Sequence, residues 1–276
     1  MAQYCYLDAH AALHPSFENH LNDRNNRIIV SEDYLAEMTR WEGSSKRIEH
    51  LRRLASIINR VYYAVDEAAC LSLERKCLTL TNRSKVMLNS GTELLRGALT
   101  NPLEFNSYFS DDDIQRTIKD NNYNNPDLRP WLIRMVNHFG QLFRQHNVAR
   151  SGSRLLTDEE LKSIMGAARL FVRDQLIENG IPFYKAENFC KRDSCSWRQH
   201  VCIFSRIYDW TLRNGIEGLS EQQVYAEQAD MRHVCLASYF DLFLTADVAN
   251  KRTDENLRRA ILLGRIHKRI AEVEEN

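Results

Sequence analysis

The chain contains no G-x-x-x-x-G-K-[ST] loop, no G-x-G-x-x-G and no G-x-S-x-G. A phosphate-cradling P-loop, a dinucleotide fingerprint and a serine nucleophile elbow therefore have no support in it. It carries no excess of charge of either sign: 37 Lys and Arg balance 37 Asp and Glu, so any contact with nucleic acid must come from local basic patches. No apolar run is long enough to span a bilayer, which excludes a membrane-embedded protein of the helical kind. Met1-Ala-Gln-Tyr4 lacks the basic and apolar regions of a secretory leader. The seven cysteines, an odd number, are therefore expected to be reduced thiols of a cytoplasmic protein. Internal repeats and low-complexity segments are also lacking. Only five prolines occur, and three of them (Pro102, Pro126 and Pro130) fall in one stretch with Asp111–Asp113 and the Asn-rich run 121–125. That clustering predicts loops and a subdomain boundary there.

What is present is concentrated at the two ends. Near the C-terminus, Leu242, Phe243 and Leu244 form a short apolar run that closes on Thr245-Ala-Asp247. Near the N-terminus, Tyr4-Cys-Tyr-Leu7 closes on Asp8. A strand that is apolar throughout and ends on a carboxylate is the pattern of a buried parallel sheet presenting an acid at its carboxyl edge. Ligands of open α/β sheets bind at that edge. Two such strands, from opposite ends of the chain, suggest one shared site.

Between them the pattern is mostly helical. Arg27-Ile-Ile-Val30 reads as a second strand, and Ser31 can cap a helix whose first turn holds Glu32 and Asp33 and whose body carries Glu37. Ile48, Leu51, Leu54, Ala55, Ile58, Val61 and Tyr62 follow at helical spacing, which predicts one long helix, with helical character continuing through Leu80. Helical signal resumes over 131–145. Thr157-Asp-Glu-Glu160 and Ser220-Glu-Gln-Gln223 are capping boxes that open further helices. The second of these helices carries Glu227, Asp230, His233 and Cys235, and a charged helix over 255–274 ends the chain.

Asp8, Glu37, Asp230 and Asp247 are acids at strand ends and on the adjoining helices. Carboxylates packed together repel, and their pKa values rise unless a cation neutralises them. Hard divalent ions such as Mg²⁺ or Mn²⁺ suit such oxygen ligands, and an ion there can activate a water and stabilise a phosphodiester under attack. Each acid taken alone reads equally well as a cap or surface residue. Glu227 and Asp230 share a helix face, so either or both can be the helical ligand. His233 fits helix–sheet packing or a hydrogen bond to a carboxylate. Asn250 and Asp254 fit either the metal shell or a loop cap.

The ordered set resembles the PIN-domain nucleases. The residues that carry the resemblance are Tyr6-Leu-Asp8-Ala-His10, Ser31-Glu-Asp-Tyr-Leu-Ala-Glu37, Asp230-Met-Arg-His233 and Asp241-Leu-Phe-Leu-Thr-Ala-Asp247. The resemblance implies an α/β fold with a Rossmann-like three-layer core around a parallel sheet, here built from 1–80 and 220–276. The large, mostly helical insertion 81–219 lies outside it. It also implies Mg²⁺- or Mn²⁺-dependent hydrolysis of RNA, with DNA not excluded. Asp8, Glu37, Asp230 and Asp247 would be the metal-binding and catalytic acids, and Thr245 a hydrogen-bonding residue beside them. A toxin role with an antitoxin protein as partner, and a homodimer, come with the family. Two departures stand out: the Asn usual after the first-strand acid is absent, and the insertion is far longer than a compact member needs.

Two rivals remain. A haloacid-dehalogenase-type phosphatase also begins with strand then Asp but wants Asp-x-Asp, and position 10 is His10. A catalytically degenerate core serving an interaction module would bind a partner protein through the helical insertion. Cys190, Cys195 and Cys202, with His200 nearby, are spaced more loosely than the C-x2-C pairs of structural zinc sites, so unpaired thiols in helical packing are expected. Basic residues gather at Lys46, Arg47, Arg52, Arg53 and Arg60, at Lys185, Lys191, Arg192 and Arg198 around Trp197, and at Lys251, Arg252, Arg258 and Arg259. The first and last groups fit phosphate contacts or charged helix faces equally, and the group around Trp197 fits a segment that binds phosphates and stacks a base, or a solvated surface loop.

Overall fold

A computed structural model describes residues 2–39, 45–102, 105, 128–145, 154–213 and 219–274 of the chain. The chain is α/β and divides into two compact units. The first comprises Met1–Ser72, Thr81–Tyr123 and Leu236–Lys251, and the second Leu73–Leu80, Asn124–Cys235 and Arg252–Asn276. The division does not follow the boundaries expected from sequence. Residues 81–123 go with the sheet, whereas 220–235 and 252–276 go with the helices.

The first unit is built on four parallel strands: β1 (Tyr4–Leu7), β2 (Arg27–Ser31), β3 (Val61–Ala64) and β4 (Leu242–Leu244), in the order β3-β2-β1-β4. Cys5, Tyr6, Leu7, Ile28, Ile29 and Val30 are all fully buried, as strands covered on both faces must be. On one face Cys5, Leu7, Ile28 and Val30 join a cluster with Leu51 and Leu54 of α3 (Ser45–Ser56) and Leu95 and Leu99 of α6 (Asn89–Thr100). On the other face Tyr6 stacks on Phe240 at 5.8 Å between centroids and donates its hydroxyl to Ser31 Oγ at 2.7 Å. Short α1 (Glu18–Asn22) precedes β2, α2 (Glu32–Thr39) follows it, and α4 (Glu67–Cys77) follows β3.

The strand β3 corrects the expectation of one long helix through Tyr62. The helix stops at Ser56, whose hydroxyl donates to the Arg53 carbonyl at 2.6 Å. Val61, Tyr62 and Tyr63 are β-branched or aromatic and suit a pleated surface. Their apparent helical spacing arises because any apolar-rich run offers matches three and four residues apart. As an edge strand, β3 is masked. The segment before α6, just after α5 (Arg83–Val86), bridges it antiparallel through Ala64 and Met87. Thr92 Oγ1 takes the Tyr63 N–H at 2.9 Å, and Arg96 Nε donates to the Val61 carbonyl at 3.0 Å. This closes the β3 edge of the sheet to pairing with another chain.

Gly91 marks the closest approach of α6 to β3. A Cβ there would lie 3.0 Å from Tyr63 Cε1 and closer still to its Cδ1. Alanine is the better helix former, so Gly91→Ala on an open face would gain about 1 kcal/mol. Here it is expected to destabilise by about 1–3 kcal/mol, because the Tyr63 ring has to move. Chemical denaturation of the two proteins checks this, and a variant at least as stable as wild type would contradict it.

The described part of the second unit is helical: α7 (Leu128–Gln145), α8 (Asp158–Glu178), α9 (Phe183–Cys190) and α10 (Cys195–Leu212), with most of α11 (Glu221–Ala237) and α12 (Val248–Glu274). Nearly every residue of α10 is buried, and Phe204 sits edge-on to Phe171 of α8 at 5.3 Å. The N-terminus of α10 is closed twice. Ser194 Oγ accepts from Trp197 N at 3.0 Å. The fully buried carboxylate of Glu74 accepts from Cys195 N at 2.7 Å, Ser196 N at 2.9 Å and Ser196 Oγ at 3.0 Å. Both capping boxes form: Thr157 with Glu160, and Ser220 with Gln223.

Glu160 also anchors packing. Arg154 grips it with two hydrogen bonds of 2.7 and 2.6 Å, and Tyr208 of α10 donates its hydroxyl to it. Burial pushes the carboxyl upward, but the Arg154 and Tyr208 hydrogen bonds and the Thr157 N–H outweigh it and hold the pKa at about 2, below the ordinary 4.5. A depressed carboxylate stabilises the fold above the unfolded value and loses that contribution as pH falls toward the folded one. Glu160→Gln is therefore expected to be destabilised by about 1–2 kcal/mol at pH 7, allowing for solvent screening. The deficit should shrink between pH 4.5 and about 2. Melting curves of both proteins across that range check it, and a deficit independent of pH would contradict it.

Candidate functional site

The strand order places β1 in the interior, with β2 and β3 on one side and β4 on the other. The chain thus reverses its direction of travel across the sheet between β1 and β4. In open parallel sheets such a reversal opens a crevice at the carboxyl ends of the two strands. Asp8 follows β1 at that edge, and Thr245-Ala-Asp247 follows β4. The Asp8 N–H donates to the Leu244 carbonyl at 3.0 Å, which carries the β1–β4 ladder one residue past the strands.

A chain of hydrogen bonds then links the two ends of the sequence. Fully buried Thr245 donates its hydroxyl to Asp8 Oδ2. The same hydroxyl accepts from Asp247 N at 3.1 Å. Asp247 Oδ1 accepts from Asn250 N at 2.7 Å and so caps α12. Asp8 itself is only 6% exposed and makes no side-chain cap to the turn that follows it. A buried carboxylate with no helix to cap calls for positive charge or hydrogen-bond donors on its free lone pairs.

The other strands also end on acids. After β2 come Glu32 and buried Asp33, and Ser31 Oγ accepts from Tyr34 N at 3.3 Å. After β3 come Asp66, which accepts from Ala69 N at 2.7 Å, and buried Glu67. Tyr63 donates its hydroxyl toward Glu32 at 3.3 Å. Its phenol is pushed well above the ordinary value of 10, first by burial and then by the carboxylates of Glu32, Asp66 and Asp33. The carboxyl edge is therefore acidic along the sheet. The helical spacing of Val61 and Tyr62 hides β3 in the sequence, and Asp66 and Glu67 with it. A strand followed by Asp-Glu is the signal that would have found them.

Parallel sheets place helix N-termini at this edge, and acids favour helix N-termini on their own account. Asp66 and Asp247 serve that purpose, whereas Asp8 does not. Among the described residues, no three His, Cys, Asp or Glu side chains group so as to hold a metal ion.

The remaining candidates are placed as follows. Glu37 lies on α2, and its side chain falls outside the described residues, as does that of His10. Asp230 lies half-buried on α11, within the second unit. Its neighbour Glu227 faces the buried Arg206 at 3.3 Å. His233 is buried. Asp254 is held by Arg258 at 2.8 Å. Asp241 sits at the opposite, amino edge of β4, where it accepts from Tyr4 N at 2.8 Å and pairs with Arg83 at 2.7 Å.

None of the seven cysteines forms a disulfide. Cys195 lies closest to Cys235, with 3.8 Å between the sulfurs.

Many of the basic residues have structural duties. Arg47 is buried and lies over Phe105 at 5.9 Å, and Arg53 pairs with Glu18 at 2.9 Å. Arg60 donates to the Leu21 carbonyl at 2.6 Å. Arg198 pairs with Asp193 at 2.8 Å, and Arg259 pairs with Asp158 at 2.6 Å. Lys251 lies 5.8 Å over the ring of Phe17.

No family model, no curated protein and no solved structure matches the chain.

Proposed function

We propose that the protein is a Mg²⁺- or Mn²⁺-dependent endoribonuclease with a PIN-like core, acting from the carboxyl edge of its sheet. The single observation that carries the reading is Asp8: a buried carboxylate at the carboxyl ends of β1 and β4, free of capping duty and oriented by Thr245, which also takes the Asp247 N–H. Asp8 and Asp247 supply oxygens of the kind a hard divalent ion takes, and such ions keep several waters of their own. The ion's chemistry is to lower the pKa of a bound water and to offset charge on the phosphodiester. Thr245 fixes the Asp8 carboxylate in one orientation, which a protein site needs to hold an ion with few ligands. The acids after β2 and β3 add negative potential that attracts a cation to this edge. Glu37 and Asp230 enter on their place in the motif alone. An antitoxin partner and a homodimer belong to the reading only through the family resemblance.

The test is cleavage of single-stranded RNA by the purified protein with Mn²⁺, with chelator and an Asp8→Asn variant as controls. Cleavage that depends on metal and on Asp8 supports the reading; no cleavage at any metal concentration contradicts it. The rival, a non-cleaving core of the same kind that binds a partner protein, is favoured by one finding: no three ligating side chains group among the described residues. A divalent ion that raises the melting temperature favours the enzyme, because binding to the folded state stabilises it.

A further inference from the structure

The second unit contains a cleft of about 900 Å³, lined by four cations: Arg169 of α8, Lys191 and Arg192 just after α9, and Arg265 of α12. Among the described residues of its wall the one carboxylate, Asp193, is already neutralised. Arg198, which is 7% exposed, donates to its two oxygens at 2.8 and 2.8 Å. Arg265 stands 3.8 Å from Asp193, beyond hydrogen-bond reach, and is 68% exposed. Lys191 pairs only loosely, at 3.5 Å, with Glu187. Arg169 supplies the sharpest observation: its Nε is buried and has no hydrogen-bond partner. A buried donor left without an acceptor costs about 1–3 kcal/mol, and the same side chain lines the cleft.

Leu80, Trp197 and Ile261 form an apolar part of the same wall. The helix terminus nearby does not supply the positive charge, since Glu74 and Ser194 already satisfy the first N–H groups of α10. The charge comes from side chains held on separate elements around one space. The volume lies in the range of small-ligand sites and far exceeds a single inorganic phosphate. A groove for an RNA strand would instead show cations in a row and exposed rings for base stacking, whereas Trp197 is 3% exposed.

We propose that this cleft binds a phosphorylated small molecule with a flat apolar body, of the nucleoside diphosphate class. Its phosphates would be held by Arg169, Arg192 and Arg265, and its ring would lie against Leu80 and Ile261. The proposal stands independently of the nuclease reading.

The test is calorimetric titration of the full chain with ADP, adenosine, inorganic phosphate and a short single-stranded RNA. Two variants accompany wild type: the exposed pair Arg192→Glu/Arg265→Glu, and Arg169→Met. ADP is expected to bind with a dissociation constant on the order of 10–100 μM. Adenosine and phosphate alone should each bind at least about ten-fold more weakly. The double variant should weaken ADP by about ten-fold or more without a change in melting temperature. If Arg169→Met does not fold, the double variant carries the test alone. The proposal is overturned by no saturable ADP binding at millimolar concentration, or by ADP binding that the charge reversals leave unchanged. It is equally overturned if phosphate binds as tightly as ADP, or if RNA binds through these arginines while ADP does not.

Discussion

Asp8→Asn is expected to lower metal-dependent RNA cleavage by about a thousand-fold or more, with the melting temperature within a few degrees of wild type. The two effects separate because the substitution keeps shape and removes charge. An asparagine oxygen still accepts the Thr245 hydroxyl, so the hydrogen-bond chain through Thr245 to Asp247 N survives. What is lost is the anionic ligand, and a neutral amide is a far weaker partner for a hard cation. Asp247→Asn works in the same way. Asparagine is as good an N-cap as aspartate, so the bond from Asn250 N that opens α12 is retained while the carboxylate goes. Cleavage rates of the purified variants with Mn²⁺, set beside their thermal melts, decide the matter. A variant that folds and cuts at the wild-type rate removes the edge from consideration as a catalytic site.

The second large effect is on stability alone. Glu74→Ala is expected to destabilise the protein by about 3 kcal/mol, which for a chain of this size lowers the melting temperature by roughly 6–12 °C. Glu74 holds two backbone N–H groups and a hydroxyl at the start of the most buried helix. Its charge also faces the positive end of α10. Alanine leaves those donors buried without an acceptor. Glutamine restores one oxygen but turns an amide NH₂ toward donors, so Glu74→Gln is expected to recover less than half of the loss. Circular dichroism melts measure both variants. A Glu74→Ala protein that melts within 1–2 °C of wild type would show that α10 is closed by other means.

Neither Glu74 nor its duty could be read from the sequence. Its partners lie more than a hundred residues away, and no local pattern announces a contact of that range. The features that could be read are those in which a local pattern and the tertiary demand coincide. Tyr4–Leu7 is apolar because the sheet buries it, Leu242–Leu244 is an apolar, partly buried edge strand, and Asp247 follows it because α12 starts there. Thr157 and Ser220 announce helices because a capping box is local chemistry. Val61–Ala64 failed for the opposite reason: an apolar run directly after a helix extends that helix on paper, and only pairing with Ile28–Ser31 makes it a strand. Losing that strand also lost Asp66 and Glu67 from the acidic edge. The basic residues divide likewise. Arg47, Arg53 and Arg60 look like a phosphate-binding face in sequence, yet each is committed to a ring, a carboxylate or a carbonyl. Arg169 drew no attention from its sequence neighbours, because only its surroundings in the fold leave its Nε without an acceptor.

Anomalous diffraction from crystals soaked in Mn²⁺ locates any ion at the Asp8 edge directly. A peak is expected at roughly 2.2 Å from a carboxylate oxygen of Asp8, at the carboxyl ends of β1 and β4. Saturating Mn²⁺ with no density at Asp8, or with the ion bound only elsewhere on the chain, would contradict it.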